Sequence, residues 1–126
     1  MNHYDYAHNL ARSLKESEEY QAMLKAKEQL EADPKNKEML LEFRKFQWEM
    51  QKSQALQVEI DEVTKCRMAQ LGDLVGANSA IQDYLMAEYR FGQVMMDIQK
   101  ILSDSLAEWF KIAAESVIGE EETPQQ

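Results

Sequence analysis

The sequence predicts an all-α fold: an antiparallel bundle of about four to five helices, closed by one long C-terminal helix and packed as a homo-oligomer. Three observations lead there. Only four Gly and two Pro interrupt 126 residues, while Ala, Leu, Glu, Lys, Gln and Met are plentiful, a palette with high intrinsic helix propensity. β-branched residues are few, and no stretch alternates apolar and polar residues as a half-buried strand would. The third is the proline-free run NSAIQDYLMAEYRFGQVMMDIQKILSDSLAEWFKIAAESVI, from Asn78 to Ile118. On one helix its charges, Asp83, Arg90, Asp97, Lys100, Asp104, Glu108 and Lys111, gather in a narrow strip. Ile81, Tyr84, Leu85, Phe91, Val94, Met95, Ile98, Ile101, Leu102, Leu106, Trp109 and Phe110 cover the rest. That arc is roughly twice the width of the single stripe a surface helix needs. The helix is therefore expected to be covered on two sides, by its own chain and by a second copy.

The earlier helices follow in order. Tyr6, Leu10 and Leu14 share one face of a short first helix near residues 4–15. Ser17 is a candidate cap for the next, and Glu18 and Glu19 place negative charge in its first turn, where it suits the helix dipole. Tyr20, Met23, Leu24 and Leu30 form its apolar face, and the two helices are either continuous or kinked near Ser17. Asp33-Pro34 opens the third, because aspartate is a favoured cap and proline lacks only an N–H that would go unsatisfied there. That helix is expected to reach about Leu56, with Leu40, Phe43, Phe46 and Met50 on one face and Glu38, Glu42, Lys45, Glu49 and Lys52 opposite. Asp61 is a candidate cap for the fourth, which is expected to turn Val63, Cys66, Leu71 and Leu74 inward and to end at a left-handed Gly76. Asn78 caps the long helix. A single helical domain over 1–118 is expected, with 119–126, GEEETPQQ, as a disordered acidic tail lacking apolar anchors.

Composition excludes several function classes. The net charge of −9 argues against direct nucleic-acid binding, which normally needs a basic face. No run approaches the roughly 20 apolar residues needed to span a bilayer, so no membrane insertion is expected. The N-terminus lacks the pattern of a signal peptide. The lone Cys66 makes an internal disulfide impossible and fits a cytoplasmic location.

The residues that invite chemistry each have a plainer reading. His3 and His8 are five apart, where a helical metal pair wants three or four, so neither a metal nor a cofactor is assigned. Cys66 is expected as a buried structural thiol. Glu88 falls inside the apolar arc and needs a partner. Arg44, Gln47 and Gln51 lean toward the apolar stripe of the third helix and are the candidates for it. The second reading is a small-ligand or metal-binding bundle that uses the polar site near Glu88. No nucleophile, histidine or second carboxylate shares that face, so no catalytic residue is assigned and no enzyme is expected. Gly92, one turn beyond Glu88, is expected to admit a close helix crossing, and Met86, Met95 and Met96 to fill core. Trp48, Trp109 and Phe110 lie at the margins of apolar faces and suit contact with either a second copy or another protein. With Glu88, Phe91, Gly92 and Met95 they make up the interface candidates.

The stretch YDYAHNLARSLKESEEYQAMLKAKEQLEADPKNKEMLLEFRKFQWEMQ, together with NSAIQDYLMAEYRF from Asn78 to Phe91, resembles the YlbF/YmcA family of small bacterial helical proteins, and within it the YheA-like branch. The shared pattern covers roughly residues 4–112, with Ala87 and Glu88 at the family's Ala-Glu position. The resemblance implies a non-enzymatic cytoplasmic protein that forms dimers or larger oligomers through its long helices. It also implies a regulatory or adaptor role: two members act with a third protein as an accessory complex of the endoribonuclease RNase Y, affecting competence, sporulation and biofilm formation. That complex has been linked to iron–sulfur clusters. Here the chain departs from it, since one thiol cannot hold a cluster alone, and the cluster is not carried over.

Overall fold

A computed structural model describes residues 1–122, and they form six helices. These are α1 (His3–Glu16), α2 (Glu18–Glu31), α3 (Pro34–Leu56), α4 (Glu62–Ala77), α5 (Ser79–Ser105) and α6 (Ala107–Glu122). The fold is all-α, with one helix more than expected, because the long C-terminal helix is two.

Short polar residues set most boundaries. Asn2 Oδ1 accepts the N–H groups of Tyr4 and Asp5, and Asp5 accepts the N–H of Asn2 in return, which closes a capping box on α1. Ser17 separates α1 from α2: its hydroxyl donates to the Leu14 carbonyl at 2.6 Å and accepts the Tyr20 N–H at 3.2 Å. One residue thus satisfies orphan groups of two helix ends. Asp33 caps α3 with Pro34 in the first turn, and Asp61 caps α4 through the Thr64 N–H at 2.7 Å.

Two ends differ from expectation. Gly76 is not a left-handed cap; α4 continues through Ala77, and Asn78 closes it in an extended conformation. Asn78 Oδ1 then accepts the Ile81 N–H at the start of α5, so a side-chain acceptor replaces the glycine turn. The left-handed conformation falls instead on Gln57, the residue closing α3, at φ 56°. The helix expected over 78–118 is interrupted at Leu106, just after Ser103-Asp104-Ser105. Serine and aspartate side chains compete for main-chain hydrogen bonds and weaken a helix interior. The bonds from Leu106 N–H to Leu102 and from Phe110 N–H to Leu106 survive, so the interruption is local.

The helices gather into two compact units, Met1–Phe91 and the chain from Gly92 onward. The core of the first unit joins Leu30 of α2, Leu40 of α3, Leu71 and Val75 of α4, and Ile81 of α5. Met39, Phe43, Phe46, Tyr84 and Leu85 pack around them. Ile81 is fully enclosed, which contributes about 1.5–3 kcal/mol relative to exposure. The inward face of α4 is Met68, Leu71 and Val75. Of the expected set only Leu71 is inside; Val63, Leu74 and Cys66 are exposed. Helical spacing explains the difference, since 68, 71 and 75 stack on one face while 66 lies on nearly the opposite one. Helix α1 buries no residue.

In the second unit Val94, Met95 and Ile98 are half-buried, while Met96, Ile101, Leu102, Leu106, Trp109, Phe110 and Ile112 are exposed. Of the tail expected from Gly119, residues 119–122 close α6 as helix, and 123–126 lie outside the described residues.

Candidate interaction surfaces

Helices α3 and α5 bring Arg44 and Glu88 together. An Arg44 Nη2 N–H donates to Glu88 Oε1 at 2.5 Å, and the Tyr84 hydroxyl donates to Oε2 at 2.8 Å. Tyr84 and Glu88 are one turn apart on α5, the spacing at which side chains meet on one helix face. The Arg44 guanidinium also stands 6.0 Å from the centre of the Tyr84 ring, at the outer limit of a cation–π contact. Gln47 and Gln51 are exposed and take no part.

Electrostatics keep this cluster charged. Burial alone pushes the Glu88 carboxyl up, but the bonds donated by Arg44 and Tyr84, with the arginine charge, outweigh it and hold Glu88 below the usual carboxylate range. Its bond to Glu88 holds Arg44 above its already high value, and burial followed by the Glu88 contact raises Tyr84. The arginine and glutamate side chains keep 40% and 38% of their exposure, so Glu88 is half-buried rather than enclosed. Both its oxygens are occupied by donors from its own chain. Among the described residues no group of three or more His, Cys, Asp or Glu is placed to hold a metal. The cluster therefore joins α3 to α5 within the chain. Sequence reasoning missed the tyrosine, although the i, i+4 spacing was present.

The remaining candidates lie on surfaces. Phe91 is half-buried, its ring 5.0 Å from that of Tyr20. Trp48 is 63% exposed on α3. Trp109 and Phe110, side by side on α6, stack edge-to-face at 4.8 Å, and the tryptophan is 65% exposed. A Cβ added at Gly92 would meet open space, so no described residue makes the close approach expected there. Met86 and Met96 are exposed rather than core-filling, and Met95 is half-buried. Cys66 is exposed, not a buried thiol. No helix of the described residues is long and apolar enough to cross a membrane.

Comparison with known proteins gives a match to one family model and a set of similar relatives. The sequence model described as "Control of competence regulator ComK, YlbF/YmcA" matches residues 3–107. A UPF0342 protein of Caldicellulosiruptor bescii is 36% identical over 105 residues, which cover 83% of this chain and 88% of that protein. A UPF0342 protein of Halothermothrix orenii is 40% identical over 103 residues, covering 82% and 87%. One from Symbiobacterium thermophilum is 36% identical over 103 residues, covering 82% and 92%.

Proposed function

The chain belongs to the YlbF/YmcA family, and on that footing we propose that it is a non-catalytic regulatory protein that works by binding other proteins, first of all a second copy of itself. The family is described as controlling a competence regulator, which supports a regulatory role. The observation that carries the reading is the apolar face from Ile101 to Ile112. Ile101, Leu102, Leu106, Trp109 and Ile112 are each at least half exposed. A contiguous uncovered apolar patch with aromatic anchors marks an interaction site. The open space at Gly92 supports the same reading, since it leaves room for a helix of another chain.

The finer role is that of an adaptor in bacterial RNA decay, with partners in an endoribonuclease accessory complex and a cytoplasmic place of work. It rests on the family resemblance. The test is affinity capture of the tagged chain from its native host, with Trp109→Ala as the control, alongside transcript half-lives after deletion of the gene. The reading expects decay-complex proteins lost from the Trp109→Ala capture, and lengthened half-lives. Capture unaffected by Trp109→Ala, with unchanged half-lives, would overturn it.

A further inference from the structure

A groove of about 750 Å³ lies where α3 passes into α4, its lining including Met50, Gln57, Val58, Glu59, Ile60 and Glu62. It is distinct from the apolar face of the second unit and from the Arg44–Glu88 cluster. Three features coincide there. Residues 58–61 run without helix or turn. Among the described residues, the N–H groups of Glu59, Ile60 and Asp61 and the carbonyls of Val58, Glu59 and Ile60 make no hydrogen bond within the chain. Met50, Leu56, Val58 and Val63 leave apolar surface open around this free main chain.

Gln57 adds a further feature. It is the only non-glycine residue at positive φ among the described residues. Glycine would hold the left-handed conformation without steric cost, and glutamine holds it at a cost of about 1 kcal/mol. Its side chain lines the groove. Backbone strain of this kind collects at binding sites.

Charge selects the occupant. Glu59, Asp61 and Glu62 stand within four residues, and Lys65 pairs with Glu62 at 3.6 Å. The Thr64 hydroxyl and N–H hold the Asp61 carboxyl below its ordinary value, so it stays ionised. Glu59 has no cation partner among the described residues. We infer that the α3–α4 groove binds an extended segment of a partner protein in which apolar residues alternate with Lys or Arg. The segment pairs its main chain with residues 58–60, seats apolar side chains against Met50, Val58 and Ile60, and places a cation at Glu59. Strand-like pairing supplies affinity, and alternate side chains supply selectivity.

Random dodecapeptides displayed on phage, selected on the full chain, test this directly. The enriched peptides are expected to alternate apolar with basic residues. They should bind Glu59→Lys about tenfold more weakly, and lose affinity as salt rises. Gln57→Gly should melt about 2–4 °C higher while binding the same peptides about fivefold more weakly. Ile60→Asp should abolish binding, with helical circular dichroism as the check on its fold. No enrichment, enrichment without basic residues, or equal binding by wild type and Glu59→Lys would overturn the inference. None of these results depends on whether the chain self-associates, so failure here is separate from failure of the oligomeric reading.

Discussion

A double-mutant cycle on Arg44 and Glu88 measures what joins α3 to α5. The perturbation is Arg44→Leu, Glu88→Leu and the pair together. Two unit charges about 4 Å apart attract by roughly 4 kcal/mol at an effective dielectric of 20. Both side chains keep about two-fifths of their exposure, so solvent screening and the entropy of fixing two long side chains remove most of that. The charge-assisted bond at 2.5 Å places the remainder at the upper end of the exposed-pair range, about 1 kcal/mol. Each single variant is then expected to lose about 3–6 °C in Tm. The folded-state pKa of Glu88 is depressed from 4.5. Its contribution is therefore complete above pH 4.5 and is lost as pH falls through the lower folded value. Arg44 stays charged throughout, so the coupling follows the carboxylate alone. Urea unfolding at fixed protomer concentration, at pH 7 and at pH 2, gives the assay. Coupling near zero at pH 7, or coupling undiminished at pH 2, would refute the reasoning.

Three further outcomes follow from burial and capping. Ile81→Ala should cost about 2–4 kcal/mol because the residue is fully enclosed, whereas the exposed Met86→Ala should cost under about 0.5 kcal/mol; equal urea midpoints would contradict the core assignment. Asn78→Ala removes the cap on Ile81 and the 2.8 Å bond from Asn78 Nδ2 to Asn36 Oδ1. It should lower stability by about 1–2 kcal/mol, and a neutral result in the same melts would show that α5 does not depend on this cap. The Cys66 thiol is exposed, so a thiol-reactive dye should label the native protein nearly as fast as the unfolded one; strong native protection would place Cys66 inside.

The helix starts were legible because each is written in one or two residues. Ser17, Asp33, Asp61 and Asn78 carry short polar side chains whose oxygens accept free main-chain N–H groups at helix starts, and Pro34 fits the first turn that follows Asp33. The pairing of Arg44 with Glu88 was legible as a choice among three candidates, since a carboxylate within an apolar arc demands a donor. The face of α4 was not. Val63, Cys66 and Leu74 offer one apolar stripe and Met68, Leu71 and Val75 another, and only packing against Leu40 and Ile81 decides between them. The left-handed residue was misplaced because glycine is merely tolerant of that conformation. Gly76 lies where the α4 helix continues, and Gln57 lies where the chain must turn. The break at Leu106 was passed over because apolar periodicity runs through it while Ser103, Asp104 and Ser105 weaken the backbone beneath.

Self-association through the face from Ile101 to Ile112 is the central claim, and sedimentation equilibrium on the full chain and on Ile101→Asp tests it most directly. Ile101 is 63% exposed in the single chain, so a charge there is expected to leave the fold intact while disrupting the interface. The wild type is expected to form a dimer or larger oligomer at micromolar concentration, and Ile101→Asp to be a folded monomer with unchanged helical circular dichroism. A wild type that stays monomeric at about 100 μM, or an Ile101→Asp variant that assembles as the wild type does, would contradict it.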